Sequence, residues 1–226
     1  MKHNKVIAID GSIATGKTTI SKLLAKNLDG IFLPTGKLYR LLTLFIIKND
    51  IQHFNLTKIE QFINFSDIDF KEEKFYITGF EYDQRELFSE TEMRTLPSIA
   101  KLPEIRLLAN QVFLNIIDRN PNKYIILEGR DAGTVIYPSA MLKIFLTVSL
   151  EEATKRRFEQ LKIINPNLNK NNWNEIFLSI QNRNSLDYSK DNIAFKKAID
   201  SIEIDTTFLS EEEVVSKILE KVEIKK

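Results

Sequence analysis

A short stretch with two glycines, residues 11–19, separates an apolar run from a helical pattern. The apolar run covers residues 5–10, and apolar side chains recur at helical spacing over residues 20–28. The stretch fits G-x-x-x-x-G-K-T, which forms a phosphate-binding loop when it lies between a strand and a helix. Its glycines let consecutive backbone N–H groups turn toward one centre at a helix N-terminus, where an anion binds. The sequence therefore predicts a binding site for a nucleoside triphosphate.

The chemistry of the loop predicts a role for its last residues. Lys17 is expected to reach the β- and γ-phosphates of ATP, and the Thr18 hydroxyl is expected to bind the accompanying Mg²⁺. Thr19 follows directly and remains the alternative magnesium ligand. The predicted ATP-binding residues are Gly11, Ser12, Ile13, Ala14, Thr15, Gly16, Lys17, Thr18 and Thr19.

Strand-like and helix-like segments alternate along the 226 residues, which predicts a three-layer parallel sheet with helices on both faces. Further strands are expected at residues 30–34, 124–127, 142–148 and 202–207, and helices at 38–49, 150–163, 173–185 and from Ser210 onward. Residues 68–70 and 75–78 alternate like a hairpin, which indicates a small inserted subdomain. We also expect a strand within residues 80–87 and helices that begin at Pro97 and at Pro103.

Composition excludes several classes of function. The chain has no cysteine, so disulfides, thiolate catalysis and cysteine-bound zinc are excluded, and its two histidines are too few for a histidine metal site. A net charge of +1 provides no global field for nucleic acid or a membrane. No apolar run approaches the ~20 residues that span a bilayer. These features predict a cytoplasmic protein that binds neither nucleic acid nor membrane.

Ligands of open parallel sheets bind beyond the carboxyl ends of the strands, so the residues that follow each strand are candidates. Arg40 and Arg130 follow two predicted strands, and guanidinium groups bind phosphate oxygens in a bidentate manner. Because the loop already serves the triphosphate, these arginines predict a second, anionic substrate. Glu128 has two open interpretations, a magnesium ligand or a partner of the neighbouring arginines.

Arginines also flank an asparagine-rich loop at residues 165–174. Arg156 and Arg157 precede this loop, and Arg183 follows it. This arrangement predicts a closing lid whose arginines stabilise the charge on a transferring phosphoryl group and exclude water.

The chain resembles the bacterial-type cytidylate kinases, which belong to the nucleoside-monophosphate kinase group. The resemblance rests on residues 9–19, on Thr35-Gly36-Lys37-Leu38-Tyr39-Arg40, on Met93-Arg94-Thr95, on residues 102–106 and on the stretch from Glu128 to Pro138, with Arg156-Arg157 further on. The G-R-D-x-G-T-V-x-x-P and T-G-x-x-Y-R patterns are the specific ones. Together these segments follow the order of the family over nearly the whole chain.

The resemblance implies a role for each matched residue. Catalytic roles fall on Lys17, Arg130, Arg157 and Arg183, and CMP binding falls on Thr35, Arg40, Ser98, Arg106, Arg130, Asp131, Arg183, Asp187 and Lys190. Lys190 stands where the family has an arginine for the acceptor phosphate. The implied organisation is a core at about residues 1–50 and 120–226, a monophosphate-binding insert at about 51–119 and a mobile helical lid at about 157–187.

The sequence as a whole predicts transfer of the γ-phosphoryl group of ATP to CMP or dCMP by a monomeric enzyme with Mg²⁺. A P-loop kinase for another nucleoside monophosphate or small molecule is the alternative. A GTP-binding regulatory module is a third possibility, but it normally needs an N-K-x-D motif, and Asn169-Lys170-Asn171-Asn172 lacks the acidic residue.

Overall fold

The computed structural model describes residues 5–51, 59–169, 171–187 and 196–224. The chain divides into two compact units, one made of Met1–Phe32 with Lys123–Lys226 and one made of Leu33–Asn122. The second unit thus includes residues 33–50, which the sequence analysis grouped with the core. His3, His53 and Lys190 lie outside the described residues.

Seven strands and seven helices lie within the described ranges. In chain order they are β1 (Val6–Gly11), α1 (Lys17–Asn27), β2 (Ile31–Pro34), α2 (Thr35–Lys48), β3 (Ile68–Lys71), β4 (Lys74–Ile77), α3 (Glu90–Ile99), α4 (Pro103–Arg119), β5 (Ile125–Glu128), β6 (Leu142–Thr147), α5 (Leu150–Ile164), α6 (Asn171–Asp187), β7 (Ile202–Asp205) and α7 (Glu211–Ile224). No helix in these ranges combines the length and apolar character that crossing a bilayer requires.

The central sheet confirms the predicted parallel α/β architecture. Its strand order is β2-β5-β1-β6-β7, with β1 parallel to β5 and β6, and β6 parallel to β7. At the edge strand, Ile31 N–H donates to Tyr124 O at 2.7 Å. All six residues of β1 are buried, as expected for a central strand covered on both faces.

One face of this sheet packs against α1 and α7. Ile7 and Ile9 of β1 lie on that face, two residues apart, and contact a cluster that includes Leu24 of α1 and Ile218 of α7. The N-terminus of α7 has the predicted capping box, because Glu213 N–H donates to the Ser210 hydroxyl while Ser210 N–H donates to the Glu213 carboxylate.

The opposite face of the sheet carries an unusual buried lysine. Lys143 of β6 forms an ion pair with Asp200 at 2.8 Å, and its side chain is only 9% exposed. The aliphatic part of Lys143 lies against Gly133, where an added Cβ would come within 3.2 Å of the Lys143 side chain. This contact holds the segment after β5 close to the sheet.

The second unit contains the predicted hairpin, β3 and β4, which pair in antiparallel register. Glu72 and Glu73 connect the strands with positive φ angles of 50° and 59°, as a two-residue hairpin turn requires. The prediction of a strand within residues 80–87 is wrong. Gln84–Phe88 forms a 3₁₀ turn because Asp83 and Glu86 make a local capping box that favours a turn over a strand.

Two predicted helix starts in the second unit are also wrong. The helix α2 begins at Thr35, so that Thr35 and Gly36 form its first turn instead of a separate turn before it. Pro97 lies inside α3, which Ser89 caps through a hydrogen bond from Glu92 N–H. The predicted start at Pro103 is confirmed.

Two glycine-to-alanine substitutions should change stability in opposite directions. Gly30→Ala places a Cβ within 2.7 Å of Tyr124 O, so we expect a loss of about 2 kcal/mol from overpacking. Gly36→Ala meets no atom within 4 Å in a helix, so we expect a gain of about 0.5 kcal/mol from helix propensity. Urea unfolding of the two variants measures both effects, and equal effects would contradict the steric argument at Gly30.

Candidate phosphate-transfer site

The loop between β1 and α1 has the backbone geometry of an anion-binding nest. Ala14 and Gly16 have positive φ angles of 59° and 83°, and Gly16 N-caps α1. No side chain caps this helix end, and its first turn carries no acidic residue. Within the described part of the chain, the N–H groups at the start of α1 therefore have no side-chain acceptor, which favours an anionic ligand.

Lys17 lies within this loop. Its ammonium group donates to Ser12 O at 2.5 Å and lies 3.5 Å from the Thr15 hydroxyl. Burial lowers the pKa of Lys17 to about 8, and Glu128 opposes the shift, while Arg130 adds to it. The structure thus brings three predicted site residues, Lys17, Glu128 and Arg130, into one electrostatic environment.

Asp10 connects the phosphate-binding loop to the segment that carries Arg130. Its two carboxylate oxygens accept hydrogen bonds from Ala132 N–H and Gly133 N–H, each at 2.8 Å. Those amides begin a single π-helical turn, Ala132–Ile136. Burial raises the pKa of Asp10 to about 6, and the two backbone hydrogen bonds oppose that shift. Sequence analysis placed Asp10 beside the loop but gave it no role.

Arg130 forms an ion pair with Asp187, the last residue of α6. Arg183 lies on the same side of that helix, with its Nε 3.7 Å from the Asp187 carboxylate. Asp187 is buried, and its second carboxylate oxygen has no hydrogen-bond partner among the described residues. Burial lowers the pKa of Arg130, whereas Asp187 opposes the shift. Three predicted site residues therefore meet at one buried carboxylate.

The two adjacent arginines of α5, Arg156 and Arg157, make different contacts. Arg156 binds Thr206, with Nη2 2.6 Å from the carbonyl oxygen and Nη1 3.1 Å from the hydroxyl. Arg157 is exposed and lies 3.5 Å from Gln160. The structure thus does not bring Arg157 to Lys17 or Arg130, and its lid role stays a prediction.

The second unit contains a buried ion pair at another predicted residue. Arg40 lies 2.6 Å from the Glu92 carboxylate, donates to Leu87 O at 3.1 Å and stacks over the Phe88 ring at 4.7 Å. Glu92 is fully buried, and burial raises its pKa while Arg40 opposes the shift. Sequence analysis did not identify Glu92, because a lone glutamate in the polar stretch before Arg94 carries no signal.

The second unit also contains three other predicted residues, Thr35, Ser98 and Arg106. Thr35 is buried at the start of α2, and the Ser98 hydroxyl donates to Thr95 O at 2.7 Å within α3. Arg106 of α4 lies 3.4 Å from Ala100 O. Asp131, in the first unit, is buried, and its carbonyl oxygen accepts from three N–H groups of the π turn.

The oxygen ligands near the loop suit a magnesium ion. Thr18 is exposed in the first turn of α1, and Glu128 ends β5 within the electrostatic reach of Lys17. No group of three or more His, Cys, Asp or Glu residues that could hold a metal occurs in the described part of the chain. One hydroxyl and one carboxylate nevertheless fit Mg²⁺, which takes most of its ligands from water and substrate phosphates.

The first unit has a parallel sheet and a phosphate-binding loop at a helix end without a side-chain cap. It also has the partly buried Lys17 and two arginines, Arg130 and Arg183, at Asp187. These features define a P-loop phosphotransferase. The cytidylate kinase family model matches residues 7–224. A cytidylate kinase of Fusobacterium nucleatum is 32% identical, with 97% of this chain and 98% of that protein covered. One of Fervidobacterium nodosum is 36% identical, with 95% and 94% covered. The chain belongs to the cytidylate kinase family.

A solved structure also shares the fold. An uncharacterized protein from Eubacterium ventriosum aligns with a TM-score of 0.51 at 13% sequence identity, and the match covers 97% of this chain and 98% of that one. This likeness concerns the fold alone. Nucleoside-monophosphate kinase activity follows from the family and not from this structural match.

The buried carboxyl group of Asp10 predicts an unusual pH dependence. Because its pKa rises from 3.8 to about 6 on folding, the folded protein binds more protons between those values, and stability falls as pH rises through the window. Relative to Asp10→Asn, the wild type should lose about 2 kcal/mol of unfolding free energy between pH 4.5 and pH 7.0.

Urea unfolding at the two pH values measures this difference. The matched control is Asp83→Asn, since the pKa of Asp83 is lowered to about 2 and both of its titrations lie below pH 4.5. That variant should show no change relative to wild type across the same window. A pH-independent difference between wild type and Asp10→Asn would contradict the shifted pKa.

Removing Arg40 should destabilise the second unit through the partner that it leaves behind. Arg40→Ala leaves the Glu92 carboxylate buried without this cation, so we expect a loss of about 3 kcal/mol at pH 7. The loss should become smaller as the pH falls, because burial raises the pKa of Glu92 and a bound proton removes the buried charge. Lys48→Ala is the control, because its partner Glu86 is exposed and solvent screens the pair, so the variant should lose much less stability. Thermal and urea unfolding give both values, and equal losses would show that burial of Glu92 is immaterial.

Proposed function

We propose that this protein transfers the γ-phosphoryl group of ATP to CMP or dCMP, giving CDP or dCDP and ADP. The observation that carries this proposal is the match to the cytidylate kinase family over residues 7–224. The uncapped helix end at the loop and the cluster around Lys17 support it independently, because they provide positive charge and free donors for a triphosphate.

The donor nucleotide would bind at residues 11–19. The N–H groups at the start of α1 and the Lys17 ammonium would bind the β- and γ-phosphates. Thr18 and Glu128 would hold Mg²⁺, with Thr19 as the alternative hydroxyl, and that ion would neutralise charge on the triphosphate. The lowered pKa of Lys17 suits this role, because a triphosphate restores the favourable environment of the ammonium group.

Arg130 would hold the phosphate of the acceptor in line with the γ-phosphate, and the resemblance gives Arg40 the same role. Asp187 would bind the sugar through the carboxylate oxygen that has no partner among the described residues, since a hydroxyl donor satisfies a buried acceptor. Thr35, Ser98, Arg106 and Asp131 are assigned to the sugar and the cytosine ring, and Lys190 to the acceptor phosphate, by resemblance. Cytosine presents both an amino donor and ring acceptors, which an acid and an arginine can read together.

Arg157 and Arg183 would stabilise charge on the phosphoryl group as it leaves ADP. No covalent intermediate and no dedicated general base is needed, because positioning and electrostatic stabilisation account for most of the catalysis of such transfers. The proposal also includes a cytoplasmic, monomeric enzyme, with an insert and a lid that bound the site.

A coupled assay of ADP release tests the substrate. With ATP and Mg²⁺ held constant, CMP, dCMP, UMP, AMP and dTMP are compared at equal concentrations, and kcat/KM should be at least tenfold higher for CMP or dCMP than for AMP and dTMP. Turnover restricted to AMP or dTMP would overturn the cytidylate assignment. Thermal stabilisation by GTP alone, without turnover of any monophosphate, would favour the regulatory module.

A further inference from the structure

Thr206, the residue after β7, lies at the meeting point of three segments. Its side chain is 1% exposed, and its hydroxyl lies 3.2 Å from Thr15 O in the phosphate-binding loop and 3.0 Å from Thr147 O at the end of β6. Arg156 Nη1 approaches the same hydroxyl at 3.1 Å. The hydroxyl therefore accepts from the arginine and has one proton for two carbonyl oxygens. Because Thr147 O already accepts from Thr206 N–H at 2.9 Å, we assign that proton to Thr15 O.

Each of the three guanidinium nitrogen atoms of Arg156 donates a hydrogen bond. Its Nη2 donates to Thr206 O at 2.6 Å, and its Nε lies 3.1 Å from the Glu152 carboxylate one turn earlier in α5. The guanidinium plane is thus fixed by three hydrogen bonds to two residues. Its orientation in turn fixes the position of the Thr206 hydroxyl.

The contact at Thr15 matters because a peptide unit is planar. The carbonyl of Thr15 and the N–H of Gly16 belong to one peptide group and point in opposite directions. A hydrogen bond that holds the Thr15 oxygen against Thr206 therefore directs the Gly16 N–H away from Thr206, and Gly16 has the positive φ, 83°, that is typical of an anion-binding nest. The same loop is supported from α5 and α6, because Ile13 and Ala14 pack against a cluster that includes Ala153 and Ile176.

We propose that Thr206 and Arg156 are positioning residues that fix the Thr15–Gly16 peptide of the loop and thereby set the affinity for the donor triphosphate. The inference rests on the proposed function to the extent that the loop binds ATP. It assigns Arg156 a role different from that of the neighbouring Arg157, which is exposed.

Thr206→Val tests the inference, because valine keeps the shape of the side chain and removes the hydroxyl. We expect KM for ATP to rise about tenfold, the equivalent of one hydrogen bond, while KM for CMP stays within twofold of wild type. Thr207→Val is the matched control. The Thr207 hydroxyl donates to Asp205 and accepts from Ser149 N–H, and among the described residues it does not bond to the loop, so both KM values should stay within twofold.

Two further variants keep the test decisive if Thr206→Val folds poorly. Thr206→Ser restores the hydroxyl and should return KM for ATP to within twofold of wild type. Arg156→Met should raise KM for ATP selectively, whereas Lys155→Met, whose ion pair with Glu152 is exposed and 3.7 Å long, should not. A purely structural role would lower the melting temperature and the active fraction without separating the two KM values.

The outcomes distinguish this inference from the proposed function. If wild type turns over CMP and both Thr206→Val and Arg156→Met leave KM for ATP within twofold, or raise both KM values equally, the inference is overturned. If wild type turns over no monophosphate, the proposed function fails. Titration calorimetry with ATP then compares the Kd of wild type and Thr206→Val directly, and an unchanged Kd overturns the inference.

Discussion

The first unit depends on the hydrogen bonds that one buried carboxyl group accepts. Asp10 ends the central strand and binds the two N–H groups that begin the π turn after Arg130, so that the triphosphate loop and the arginine-bearing segment share one anchor. A carboxylate that accepts two amide hydrogen bonds remains costly to bury, and its raised pKa records that cost. The buried charge of Asp10 therefore lowers the stability of the folded protein next to the place where we expect the phosphates to bind.

The positive charges of Lys17 and Arg130 are also only partly compensated by nearby carboxylates. Burial depresses the pKa values of Lys17 and Arg130, whereas Glu128 and Asp187 oppose these shifts. Such a group of partly compensated charges is typical of active sites, because a polyanionic substrate completes the neutralisation. An apolar site of the same size would bind nucleotide phosphates poorly, and a fully neutralised one would gain little from them.

Much of this architecture could be predicted from the sequence, because its signals are local. The loop, the buried strands and the capping box at Ser210 each depend on residues within a few positions of one another. The partners of Asp10, however, lie 122 and 123 positions away, and Thr206 meets Thr15 across 191 positions. Neither hydrophobic periodicity nor a sequence motif predicts contacts between residues so far apart in the chain. The pairing of Arg40 with Glu92 was missed for the same reason, since the family pattern names the arginine and not the residue that holds it.

The close contact between Gly133 and the aliphatic part of Lys143 has a consequence for how such chains vary. Any side chain at position 133 would press on the lysine, and a shorter residue at position 143 would relieve the pressure but remove the ion pair with Asp200. Positions 133, 143 and 200 should therefore covary among related sequences. A substitution at one of them is expected to be tolerated only in a background where the other two have already changed.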